Sequence, residues 1–176
     1  MEPINVQDYQ SLAKDRLDPT VYDFFVGGSG DELTLEQNRL AWDSIRLNPR
    51  VLVDVSKRDL STTVLGQTVD MPMLIAPCGT NALAHPDGEL ATARAAATRN
   101  HLQTLSTVTS TAVEEVNEAR GEPVWYQLYA RENWDGTVAL VKRTREAGCP
   151  VIVLTVDLNG GSNRLTLERY RRSDDR

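Results

Sequence analysis

Tyr129 and Asp157 are the residues best placed, by type and position, to hold or move a proton. Each stands at the end of an apolar run, Val124 to Ala130 (VWYQLYA) and Val151 to Asp157 (VIVLTVD), so each projects from a strand end rather than a strand middle. A buried carboxylate at such a rim needs a partner, which favours a positioned role over chance. The plain alternative is that the Tyr129 ring packs and Asp157 caps a loop. Gln127, Ser106 and Thr155 arrive at the same rim and suit the edge of a planar heterocycle, because an amide donates and accepts while a hydroxyl rotates to suit. Polar wall contacts are the competing reading. Gly79 would let a flat ring approach the backbone, although turns use glycine for other reasons. Arg164, in the glycine-rich run Leu158 to Arg164 (LNGGSNR), carries a fork that matches a carboxylate or simply stays solvated. The two histidines offer no well-placed base: His101 precedes a strand, at the opposite rim, and His85 sits beside Pro86, where fixing a loop is its simpler role. The sequence has no glycine-rich phosphate fingerprint, Walker loop or metal cluster.

The elements that must position these groups are organised around Met71 to Glu89 (MPMLIAPCGTNALAHPDGE). Met71 to Ala76 is an apolar run without helical period, expected to be a strand buried on both faces. Pro77, Cys78 and Gly79 turn the chain, and Pro86-Asp87-Gly88-Glu89 suits the first turn of a helix. The unit recurs: Leu102 to Thr107 precedes a helical pattern at Thr111 to Ala119, Val124 to Ala130 precedes one at Asn133 to Ala147, and Val151 to Asp157 follows Gly148. Four strands alternating with three helices, each crossover long enough to return to a parallel neighbour, make a βα repeat of the α/β class. In such folds ligands bind at the carboxyl ends of the strands, so four polar sets meeting at one rim describe a site.

Upstream, helices are expected at Asn5 to Leu17, Pro19 to Phe25 and Asp31 to Trp42. Arg50 to Val55 and Ser61 to Leu65 alternate like short strands, with a turn at Gly66-Gln67 before Thr68-Val69, and are expected to form a hairpin layer closing the amino-terminal end of a barrel. Gly88 to Asn100 is alanine-rich and can lie close against a sheet. Thr111 and Glu114 have capping-box spacing, and Lys142, Arg143 and Arg145 are expected to face water. Arg169 to Arg176 (RYRRSDDR) has little to bury and is expected to be mobile.

The 176 residues suffice for a sizeable core. A formal net charge of −6 and the lack of a basic block argue against nucleic acid and anionic membranes. No run approaches the roughly 18 apolar residues of a membrane span, and no signal peptide is apparent, so a cytoplasmic location is expected. Cys78 and Cys149 are expected to be reduced structural thiols.

The runs YDFFVGGSGDE, LNPRVLVDVSKRDLSTTVLG, MPMLIAPCGTNALAHPDGE, ATARAAA, WYQLY and VLTVD resemble the FMN-dependent 2-hydroxy acid oxidases and dehydrogenases, a family that includes glycolate, lactate and mandelate oxidases. The resemblance covers nearly the whole chain and implies a (β/α)8 TIM barrel with the flavin at the carboxyl ends of its strands. It implies that Ala76, Pro77, Cys78 and Gly79 lie against the isoalloxazine and that Ser106, Gln127 and Thr155 hydrogen-bond it. Tyr129 is similar to a tyrosine near the substrate hydroxyl and carboxylate, Asp157 to an aspartate that stabilises a protonated catalytic histidine, and Arg164 to an arginine at the substrate mouth. The implied reaction takes two electrons from C2 of an L-2-hydroxy acid onto FMN, giving a 2-keto acid, with oxygen or another acceptor reoxidising the flavin.

Three positions depart from the family pattern. Phe24 stands where many members bind the substrate carboxylate through a tyrosine; losing a hydrogen bond to a charged group costs about 1.5 to 3 kcal/mol unless replaced, which turns the expectation toward aromatic, mandelate-like acids. Val108 stands where some members have tryptophan, and Asn159-Gly160-Gly161 replaces a proline-containing run. The resemblance also assigns four of eight strands to this sequence, with residues 1–70 as helices and capping hairpin and 71–176 as the first half of the barrel. The histidine base, its companion arginine, the lysine supporting reduced flavin and the phosphate loops fall in the other half, which is therefore an expected partner, within a tetramer as relatives suggest. Alone the chain is expected to be inactive. The rival reading is a non-catalytic half-barrel that dimerises to bind flavin or a protein.

Overall fold

The structure, a computed structural model, describes residues 2–158 and 160–174; Asn159 of the glycine-rich departure and the last two residues of the charged tail lie outside the described residues. By contacts the chain forms two compact units, one of residues 1–53 with 160–176 and one of residues 54–159. The division expected at residue 70 follows local pattern; grouping by contact instead puts the hairpin with the βα repeat and the last helix with the first three.

In the first unit, helix α1 (Val6–Lys14) is capped by Asn5, whose side chain accepts the Asp8 amide. Helix α2 (Pro19–Val26) begins on proline, with Asp18 accepting the amides of Thr20 and Val21. Helix α3 (Leu33–Ser44) starts two residues later than its acidic lead-in suggests, because Glu32 takes a left-handed conformation and turns its carboxylate back to the Gly28 amide. Helix α7 (Leu165–Asp174) corrects the expectation of a mobile tail. The segment folds because Leu165 and Leu167 are half-buried, Thr166 donates to Glu32 Oε1, and Glu168 pairs with Arg172 at i,i+4.

The second unit opens with a hairpin, β1 (Thr62–Val64) against β2 (Gln67–Val69), turning through Leu65 and Gly66, both at positive φ. The expected strand at Arg50 to Val55 does not form: its alternating residues find no ladder and remain exposed. Val69 packs with Leu102 and Trp125, and the Trp125 indole donates to Gln67, so the hairpin closes the amino ends of the strands behind it.

Those strands, β3 (Thr104–Leu105), β4 (Trp125–Leu128) and β5 (Ile152–Leu154), form a parallel sheet in that order. Met71 to Ala76 is the main correction: only Ile75 pairs, through a parallel bridge to Gln103, and Met73 is 61% exposed rather than buried. Pro72 has no amide to give a ladder, and no described strand flanks the far side. On one face Leu105, Val124, Tyr126 and Leu128 pack against α4 (Gly88–Thr98), α5 (Val113–Arg120) and α6 (Trp134–Glu146) through Ala93, Val113, Val116, Leu140 and Val141. Ala93 and Ala96 have no exposed surface, as a helix lying close to a sheet requires. Gly121 and Gly148, each at φ 83°, end α5 and α6. The capping box at Thr111 does not form: the N-cap position is Ala112, Thr111 donates to Glu89, and Glu114 pairs with Arg143. Lys142, Arg143 and Arg145 are exposed.

Candidate functional site

The sheet face opposite the helices carries Thr104, Ser106, Trp125, Gln127, Val151, Val153 and Thr155, since side chains alternate along a strand. At its carboxyl end three of them join in a row. Ser106 donates to Gln127 Oε1 (3.3 Å), Gln127 Nε2 donates to Thr155 (2.9 Å), and Ser106 in turn accepts the Val108 amide (3.1 Å). Ser106 and Gln127 are buried. The row leaves one Gln127 amide hydrogen and the Thr155 hydroxyl hydrogen unspent, so it can donate to the edge of a flat heterocycle without breaking its own bonds.

Thr107 opens this end of the sheet. In a continued parallel ladder the Thr107 amide would go to Gln127 O, and Thr107 O would receive the Tyr129 amide. Instead the hydroxyl does both, donating to Gln127 O (2.5 Å) and accepting from Tyr129 N (3.0 Å), while the freed amide goes to Gln127 Oε1 (3.1 Å). Tyr129 is half-buried beyond this wedge, and Asp157 is exposed past the end of β5.

Ala76, Pro77 and Cys78 are exposed at the end of the neighbouring segment. Gly79 is required by the next loop: a Cβ there would stand 3.0 Å from both Cβ and O of Val108, and the Thr80 amide bonds Val108 O at 2.8 Å. Val108 is itself half exposed. His85 Nδ1 accepts the Asp87 amide, the loop-fixing role. Cys78 and Cys149 are free; burial pushes the Cys149 thiol up, with a hydrogen bond to Asn117 opposing it.

Glu89 is the group sequence reasoning underused. It lies at the start of α4 with no exposed surface. Oε1 accepts the amides of Asn81 and Ser110 (3.2 Å each), and Oε2 accepts the hydroxyls of Ser110 (2.6 Å) and Thr111 (3.0 Å). Burial pushes its carboxyl up, but these hydrogen bonds outweigh burial and hold it below the ordinary glutamate value. An acid in the first turn of a helix was legible; its turning inward was not. Beside it is a cavity of about 170 Å³ lined by Ala76, Cys78, Asn81, Thr92 and Gln103, and the buried Gln103 Oε1 has no partner among the described residues.

Phe24 and Arg164 belong to the first unit and meet there. Arg164 donates to Phe24 O (2.7 Å), Gly27 O (3.2 Å) and Ser162 Oγ (3.1 Å), and its guanidinium lies 4.7 Å from the Phe24 ring centre. Its fork is thus turned to the end of α2 in this structure, and Phe24 packs edge-on to Phe25.

Residues 13–174 match the FMN-dependent dehydrogenase family model. Glycolate oxidase 3 of Arabidopsis thaliana is 46% identical over 89% of this chain and 43% of its own length, and L-lactate oxidase of Nostoc sp. is 44% identical over 98% and 47%. Among solved structures, a mandelate oxidase superposes with a TM-score of 0.90 at 35% identity over 97% of this chain and 49% of that one. A Pediococcus acidilactici lactate oxidase superposes with a TM-score of 0.91 at 30% identity over 97% and 48%. The chain spans about half the length of the relatives it matches. With the polar row at the carboxyl ends of parallel strands, the family match and the superpositions leave one conclusion: this chain belongs to the FMN-dependent dehydrogenase family.

Proposed function

We propose that this chain supplies the amino-terminal half of a (β/α)8 barrel that oxidises an L-2-hydroxy acid to the 2-keto acid with FMN, passing the electrons to oxygen. The observation that carries the reading is the Ser106–Gln127–Thr155 row, whose spare donors fit an isoalloxazine edge. Bound FMN would supply the two-electron acceptor. Around it the chain's own residues orient and exclude. Gln127 and Thr155 would fix the plane of the ring by hydrogen bonds, and Ala76 to Gly79 would form the wall against one face. Tyr129 would donate to the substrate's oxygens and Asp157 would pair with a protonated base, while the resemblance gives Arg164 the role of an arginine that binds substrate. Phe24 offers a ring where a tyrosine would offer a hydroxyl, which favours an aromatic acid; a relative solved with (S)-mandelic acid supports the same class. Val108, smaller than the tryptophan some members carry there, would leave the acid more room. The cytoplasm and a tetramer are proposed with it; the two free thiols agree with a reducing compartment.

The test is reconstitution of the complete protein with FMN, followed by anaerobic mixing with mandelate, lactate and glycolate. Bleaching of the bound flavin, fastest with mandelate, is expected. Protein that takes up FMN but is bleached by none of them ends the oxidase reading, and fastest bleaching by glycolate ends the aromatic one. A second reading, a non-catalytic module that dimerises, is favoured by one observation: β5 is an edge strand with Ile152, Val153 and Leu154 all partly exposed. A stable homodimer that oxidises none of these acids, with or without bound flavin, would support it.

A further inference from the structure

The segment expected to face the flavin, Ala76 to Gly79, and the segment that carries Ser106 to Val108 belong to different βα units, and the strand pairing between these units is the single Ile75–Gln103 bridge, short of both segments. Two things join them. The Thr80 amide bonds Val108 O, and the Glu89 carboxylate takes one loop by Asn81 N and the other by Ser110 N, Ser110 Oγ and Thr111 Oγ1. Four donors from two loops converge on one side chain with no exposed surface, seated at a helix amino terminus whose dipole favours its charge. A packing or helix-starting role would need none of this: α4 already carries Asp87 ahead of it, and an exposed acid would complement the dipole as well.

We propose that Glu89 is a positioning residue, locking the 77–81 and 107–111 loops into one rigid wall so that the backbone facing the flavin and the Val108 side of the substrate pocket keep a fixed relation. It touches neither ring nor substrate, and the proposal rests on the flavin reading above. The lock is unusually exposed to a single change, because removing the carboxylate orphans donors in both loops at once.

The complete protein, wild type and Glu89→Gln, is reconstituted with FMN. Glutamine keeps the length and one acceptor but presents a donor to the Ser110 and Thr111 hydroxyls. Amide hydrogen exchange is followed in peptides spanning 77–83 and 107–112, with β4 and α6 as internal references, and the visible circular dichroism of the bound flavin is recorded. Both loops should exchange about tenfold or more faster, together, with the references unchanged. The flavin band should change shape, a response that a purely structural role would not produce. Acceleration of one loop alone or of neither, or loosened loops with an unaltered flavin band, overturns the proposal. If Glu89→Gln does not fold, the Ser110→Ala/Thr111→Val double variant strips Oε2 of its donors while keeping the charge; exchange must again rise in both loops, and a rise confined to 107–112 overturns it. Wild-type protein that takes up no FMN sinks the flavin reading by itself, and with it the catalytic purpose of the lock, while the exchange result separately decides whether Glu89 couples the loops.

Discussion

Gln127 is the centre of the polar row, since its amide oxygen receives Ser106 and the Thr107 amide while its nitrogen reaches Thr155. Gln127→Leu keeps the volume and orphans buried donors. Urea unfolding of that variant should show a loss of about 1 to 3 kcal/mol, and a loss under about 0.5 kcal/mol would mean that the row is held by something else. Glu89 makes a pH prediction. Its folded value lies below the ordinary 4.5, so its stabilisation is whole above that value and drains away as pH falls through the folded value. Wild-type stability should therefore decline on acidification from about pH 6 to pH 3 more steeply than that of Glu89→Gln. Parallel curves would show that the carboxylate's hydrogen bonds contribute nothing net. The rim residues Ser106, Gln127 and Thr155 were readable because polar groups end otherwise apolar runs. Glu89 was not, because an acid in a first helical turn normally faces water, and only the distant Ser110 and Thr111 turn it inward.

At the scale of elements, the βα repeat was legible where a helix carries its own start and stop chemistry, as α6 does with Asn133 at its N-cap and Gly148 just past its end. What failed to show was competition among partners. Thr111 and Glu114 have the spacing of a capping box, yet Glu89 and Arg143 offer each of them a charged partner, and α5 is left with Ala112 at its N-cap. Ala112→Ser should therefore raise stability by about 0.5 to 1 kcal/mol, read as a higher unfolding midpoint; no gain would mean that the amides of the first turn already have partners. Arg50 to Val55 alternates like a strand but has no ladder to join, and Met71 to Ala76, apolar enough for a buried strand, pairs only at Ile75. Alternation and apolarity announce a surface in search of a neighbour. They do not supply one. The tail misled in the opposite sense: Arg169 to Asp174 reads as solvated charge, but Leu165, Thr166 and Leu167 anchor the turn before it.

At the scale of the whole chain, β5 is the last strand of the sheet among the described residues, with Leu154 53% exposed on it and Val156 77% exposed just past it. An edge strand with apolar side chains on view is a template for another strand. The chain produced alone should associate with rising concentration, and Leu154→Lys should suppress that association in sedimentation velocity without lowering the unfolding midpoint. Unchanged association would place the sticky surface elsewhere.

The Thr107 hydroxyl does the work of a peptide group, answering one strand's carbonyl and amide where the backbone beside it has turned away. It behaves like the pin of a clasp: the two strands stay fastened although their own teeth no longer mesh. Such a pin must both give and take a hydrogen bond, which valine, its near twin in shape, cannot do. Thr107→Val should therefore unzip the mouth of the sheet, seen as faster amide exchange at Tyr129, whereas Thr107→Ser should leave it fastened. A mouth that stays shut in the valine variant would show that packing alone closes the clasp.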